Sequence, residues 1–155
     1  NLNAEKQYNL IKNLKAFYPT NITAAIYPIT AIPARLALEN RNWEQAANLE
    51  LQEIELNWEE FPWQKAIYHF AKALGSSQIK DFDVATQEIE ILKKLHQNLI
   101  AQNDRSKAIE VKEVEIQINL VCDRLNTLIN RAYSDCENDI RKLKLILQKS
   151  MDVEE

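Results

Sequence analysis

Apolar residues recur along this chain at spacings of three and four, the mark of helices that each bury one face. Ala4, Tyr8, Ile11, Leu14 and Tyr18 form the first series and Pro19 stops it, which predicts a helix over residues 1–18. Asn21 is placed to cap a second helix from Ile22 to about Asn40. Pro28 and Pro33 each remove a backbone donor and crowd the preceding turn, so a kink or a division is expected inside it. Asn42 followed three residues later by Gln45 opens a third helix like a capping box, and Trp43, Ala47, Leu51 and Ile54 continue one face. Pro62 suits a first helical position and begins a fourth stripe, Trp63, Ile67, Phe70 and Leu74, which weakens at Gly75, Ser76, Ser77 and Gln78 and ends before Asp81.

Asp81 caps a fifth helix whose face runs through Phe82, Ala85, Ile89, Leu92, Leu95 and Leu99 to about Gln102. The polar run from Asn103 to Lys107 marks a turn, and Val111, Val114, Ile118, Val121, Leu125 and Leu128 then repeat as a long sixth helix. A strand competes here, because Val114, Ile116, Ile118 and Leu120 also alternate with Glu115, Gln117 and Asn119. Ser134 and Glu137 form a second capping box, which predicts a turn before them and a seventh helix through Cys136, Ile140, Leu143 and Leu147, ahead of an acidic tail, residues 151–155.

Short turns force antiparallel neighbours, so the expected architecture is all-α: an α-solenoid of stacked helical hairpins. Internal similarity supports it. Asn42-Trp43-x-x-Ala46 and Asp81-Phe82-x-x-Ala85 each place a polar cap, an aromatic and a small residue at the start of a hairpin's second helix, 39 positions apart, and Ala132-Tyr133-x-x-Cys136 is a weaker third copy. The aromatic plugs the space where the hairpin turns, and the small residue lets two backbones approach. This pattern resembles the tetratricopeptide repeat family, in which Ala34 and Ala73 would stand at the small position of the first helix. The Trp, Leu and Gly that the family places around that position are absent, and spacings of 39 and 51 exceed its period of about 34.

A longer likeness covers roughly Tyr18 to Leu125: Ala31-Ile32-Pro33-Ala34-Arg35, Leu38-Glu39, Trp43, Phe61-Pro62-Trp63, Ala66-Ile67 and His69-Phe70-Ala71 resemble the C-terminal part of large bacterial tetratricopeptide-repeat proteins of undefined function. The resemblance implies a single helical-repeat domain over 1–150, with 1–18 the leftover helix of an upstream hairpin and hairpins at 21–57, 62–102 and 105–150. It also implies further repeats upstream, in keeping with a first residue that is not Met, and an apolar face on the first helix that is uncovered or paired with another copy.

Composition narrows the function classes. With 155 residues, 46% of them apolar, the chain can bury a core. One Gly and four Pro leave it no phosphate-cradling loop or Gly-rich cofactor fingerprint. A net charge of −4 supplies no electrostatic footprint for nucleic acid or anionic lipid. The uncharged stretch from Ala16 to Ala34 has the length of a membrane span, but three prolines, Asn21 and three threonines make it a helix of a soluble domain. No basic segment followed by an apolar run and a small-residue cleavage site lies near Asn1, and two cysteines do not fix a compartment.

The chemistry-bearing residues form no metal or catalytic spacing. His69 and His96 lack any His-x-x-x-His relation, and Cys122 and Cys136 fall several Å out of register across the expected turn. Glu53 with Glu55, Glu59 with Glu60, and Glu110 with Glu113 read as solvated faces. In the final helix Asp135, Glu137 and Asp139 precede Arg141, Lys142, Lys144 and Lys149, each sign at the end the helix dipole favours. The candidates that remain are for partner contact. Trp58, Trp63 and Phe70 belong to a cluster of five aromatics within thirteen residues, and Arg35 and Glu39 lie one turn apart on the face that lines the groove of similar repeat proteins, unless they merely pair with each other. The expected function is a non-catalytic module that binds a protein or peptide on a concave face, with no cofactor, metal, nucleic acid or membrane insertion. The alternative is a structural or oligomerisation end-segment, a homodimer through an exposed end helix.

Overall fold

The structure, a computed structural model, describes residues 2–12, 22–52, 56–102 and 105–151. Among them are six α-helices: α1 (Leu2–Lys12), α2 (Ile22–Glu39), α3 (Trp43–Ala47), α4 (Pro62–Gln78), α5 (Phe82–Ala101) and α6 (Ala108–Met151), with 3-10 turns at Trp58–Glu60 and Arg105–Lys107. No strand occurs among the described residues, and the alternating segment from Val114 to Leu120 is helical. The expected helix end at Pro19, the Asn21 cap, Ile54, Asn103 and residues 152–155 lie outside the described residues.

Helix α4 is the hub, packed against α2 and α3 on one side and α5 and α6 on the other. Its two faces build two cores. Ile67, Tyr68 and Ala71 meet Ala31 and Ala34 of α2 and Leu49. Ala66 and Ala73 meet Ala85, Ile89, Leu92, Leu95 and Leu99 of α5 and Val114, Ile118, Val121 and Leu125 of α6. Trp63 packs against both.

The internal similarity has a structural counterpart. After α2 and after α4 the chain turns through the same motif, offset by 39 residues. Arg41 (φ 53°) and Lys80 (φ 68°) adopt the left-handed conformation, and the next N–H, of Asn42 or Asp81, reaches back to Ala37 O or Ser76 O at 2.9 Å. Asn42 (φ −83°, ψ 81°) and Asp81 (φ −83°, ψ 78°) then cap α3 and α5, accepting from Gln45 N (3.1 Å) and Val84 N (3.2 Å). Ala46 and Ala85 are wholly buried, as the need for close approach requires. So is Gly75, the only glycine in the chain: a Cβ there would stand 2.5 Å from Ala47 N, 2.7 Å from Ala46 Cβ and 2.8 Å from Trp43 O. Gly75 is where α3 crosses α4, rather than where α4 weakens.

Of the kink or division expected at Pro28 and Pro33, division does not occur: Ile26, Ile29, Ala31, Ala34, Leu36 and Ala37 are buried on both sides of them, and this packing outweighs two forfeited backbone bonds. Two expectations need correction. Helix α3 ends at Ala47 rather than near 57: Asn48 makes the last i−4 backbone bond, to Glu44 O (3.1 Å), its side chain donates to that same oxygen (2.9 Å), and Leu49 N tightens onto Ala46 O (3.3 Å) as Leu49 drops into the core. Most importantly, the hairpin at 105–150 and the seventh helix do not form, because α6 runs unbroken to Met151. Residues 126–140 contain no Gly or Pro, and the third copy of the turn motif has Ala132 where the other two have Asn42 and Asp81. Without a capping side chain ahead of the aromatic, nothing offsets the backbone bonds lost in leaving the helix.

On α1, Tyr8 is half-buried and Ile11 buried, Gln52 Nε2 donates to Ile11 O at 2.5 Å, and Leu10 is exposed.

Candidate functional site

Two of the expected partner-contact residues meet in one ladder. Tyr27 of α2 stacks on Trp63 of α4, ring centroids 5.2 Å apart and planes 14° from parallel. Arg35 Nη2 donates to the Tyr27 hydroxyl at 3.3 Å, and Trp63 Nε1 donates to Glu113 of α6 at 3.2 Å. Arg35–Tyr27–Trp63–Glu113 therefore spans three helices and engages the indole N–H of Trp63 and one of the five N–H donors of Arg35, which stays exposed. Glu39 is exposed and, among the described residues, forms no ion pair with Arg35. Trp58 is half-buried in its 3-10 turn, apart from the ladder, and Phe70 packs against the α4–α5–α6 core. Glu59 and Glu60 take separate partners, Lys65 Nζ at 2.6 Å and Asn57 Nδ2 at 2.9 Å.

Sequence reasoning missed a charge cluster between α4 and α5. Glu88, whose side chain is 9% exposed, accepts from His69 Nδ1 at 2.5 Å and from Lys72 Nζ at 3.0 Å. Burial pushes its carboxyl up, but the hydrogen bonds and charges of His69 and Lys72 outweigh that and hold it below the ordinary carboxylate range. The signal was present: the turn at Lys80 folds position 72 opposite position 88, eight residues on each side. Beside it, Tyr68 meets His69 edge-on with centroids 6.3 Å apart. Burial first, then the charges of Glu50, Tyr8 and Glu88, push the Tyr68 phenol well above its usual range. The cluster sets one buried carboxylate against a histidine and a lysine and joins α4 to α5.

The most exposed apolar surface lies on α6. Its first half runs beside α4 in the same direction, tied by Trp63 to Glu113 near one end and by Arg124 Nη2 to Gln78 Oε1 (3.1 Å) near the other. Helix α4 ends at Gln78, and so does the packing: among the described side chains of α6 Leu125 is the last buried one, and every residue from Tyr133 to Leu145 is exposed. From Ile129 to Met151 the helix extends about 34 Å beyond its last packed turns. That outer half still carries an apolar stripe, Ile129 (39% exposed), Tyr133 (71%), Cys136, Ile140 (48%) and Leu143 (60%), at alternating spacings of four and three. At about 100° per residue these positions centre about 50° around the axis from the face that the first half buries, with Tyr133 about 90° from it. Cys122 and Cys136 are both free; fourteen residues apart on one helix, they stand about 21 Å from each other, beyond any disulfide within the chain.

Among the described residues no group of three or more His, Cys, Asp or Glu is placed to hold a metal ion, and no helix is long and apolar enough to cross a membrane. The chain matches no protein-family model, no curated protein and no solved structure.

Proposed function

We propose that this chain is a non-catalytic interaction module in which a small helical head holds out the second half of α6 as a surface for pairing with another helix. The observation that carries this reading is the stripe itself: a regular seam of apolar residues, kept exposed on a helix whose preceding half buries Val114, Ile118, Val121 and Leu125 in the head. A seam at spacings of three and four is the form one helix recognises in another, and a helix anchored by its first half loses less entropy on pairing than a free peptide. The two matching hairpin turns favour a repeat origin related to tetratricopeptide repeats. The concave face carries less of the argument: Trp63 already holds Tyr27 and Glu113, and Arg35 holds Tyr27 with one of its donors.

The test compares two sets of variants by helix content, thermal midpoint and binding. Ile140→Asp with Leu143→Asp is expected to abolish pairing with any helical partner at an unchanged thermal midpoint. Arg35→Ala with Trp63→Ala is expected to lower the midpoint and leave pairing intact. The reverse outcome returns the function to the concave face.

A further inference from the structure

Resting on that reading, we propose that the helix paired with the outer half of α6 is the same segment of a second copy of this chain, laid antiparallel. The argument is charge complementarity along an exposed apolar seam. Asp135, Glu137 and Asp139 occupy one end of the segment and Arg141, Lys142 and Lys144 the other, all of them exposed. Their only ion pair within the helix among the described residues is Lys142 Nζ with Asp139 Oδ1 at 3.4 Å, with both side chains more than 70% exposed. A segment whose charge reverses midway is complementary to its own reverse. Two copies side by side in the same direction would set three carboxylates against three carboxylates; turned end for end, they set carboxylates against ammonium and guanidinium groups and oppose the two helix dipoles.

The charges that flank the seam choose the register. Glu137 and Lys144 lie seven residues apart on one flank of the stripe, within about 20° of each other around the helix axis. An antiparallel pair that layers Ile140 of one copy on Leu143 of the other brings Glu137 beside Lys144 of the second copy, and by symmetry Lys144 beside its Glu137. Shifting the register by one heptad, so that Cys136 layers on Ile140, would instead set Glu137 against Glu137 and Asp139 against Asp139, which opposes that alignment. In the favoured register the two Cys136 positions are about 16 Å apart along the axis, out of disulfide reach, whereas a parallel pair would stack them in one layer.

Sedimentation equilibrium of the 155-residue chain at a series of concentrations and salt levels tests this directly. The expected result is a reversible dimer of twice the 18.0 kDa chain mass, weakened by salt. Glu137→Lys alone and Lys144→Glu alone should each weaken it about tenfold, and the two together in one chain should restore it. Failure of the double swap to restore the dimer overturns the proposed register. Disulfide-linked dimers forming readily through Cys136 in a Cys122→Ser background overturn the antiparallel direction. A chain that is monomeric at every concentration overturns the second copy as partner. If Ile140→Asp with Leu143→Asp still abolishes capture of a different helical protein by that monomer, the pairing-surface reading survives. A dimer indifferent to Ile140→Asp with Leu143→Asp overturns both.

Discussion

Glu88 shows how one residue can hold two helices at a cost that depends on pH. Its carboxylate is buried and accepts from both His69 and Lys72, so Glu88→Ala removes two charge-assisted bonds and leaves two cationic or polar groups facing each other; a loss of about 2–3 kcal/mol in urea unfolding is expected. Because its folded-state carboxyl lies below the ordinary range, the stabilisation is present above the unfolded-state value and disappears as pH falls through the lower, folded-state one. Thermal midpoints measured from neutral to acidic pH should therefore fall more steeply for the parent than for Glu88→Gln, the two curves converging at the acid end. Arg41 and Lys80 are residues of the opposite kind, L-amino acids held at positive φ where glycine is the usual choice. Replacing either by Gly should stabilise the chain by about 1 kcal/mol, read as a higher midpoint with unchanged helix content.

At the scale of elements, the crossing of α3 over α4 depends on Gly75. A methyl group there meets backbone atoms of α3 rather than a flexible side chain, so α3 must lift and the buried contacts of Ala46 loosen. Gly75→Ala, a favourable change in an isolated helix, should here cost about 1–3 kcal/mol. Calorimetry of this variant checks it, and a rise in midpoint would mean that α3 does not sit where the crossing places it. The helix boundaries divide on similar grounds. Turns that carry their own cap, at Asn42 and Asp81, were legible because the capping side chain and the aromatic are local features. The turn expected before Ser134 was not real, because a Ser followed by a Glu is equally at home inside a helix, and no local residue forces the backbone out.

For the whole molecule, the division of α6 into a packed and an outer half predicts where stability resides. A chain ending at Asn130 keeps every buried residue of the α4–α5–α6 core, so as a monomer its thermal midpoint should stay within about 2 °C of the parent's. Its helical signal should fall by the removed turns. A large drop would mean that the outer half packs back on the head. Native-state hydrogen exchange offers a second view: amides of the packed half should be protected to the level of global unfolding, and those from Tyr133 onward only when the chain is concentrated enough to pair.

What the amino-acid sequence determined by itself was the class of structure and the local punctuation. Apolar spacing of three and four, with one Gly in 155 residues, favours helices that each bury one face, and Asn42, Asp81 and Pro62 mark where three of them start. The tertiary structure decided which apolar faces are covered. The stripe on Ile129, Tyr133, Ile140 and Leu143 has the same spacing as the one on Val114, Ile118, Val121 and Leu125, and periodicity cannot distinguish a face that meets α4 from one that extends past its end. The same holds for Trp63, which stacks on Tyr27 of α2 and donates to Glu113 of α6, helices distant from it in sequence, and for Glu88, whose partners come from the helix across the turn. Helix formation depends on bonds between residues four apart, whereas exposure depends on where the neighbouring helices stop.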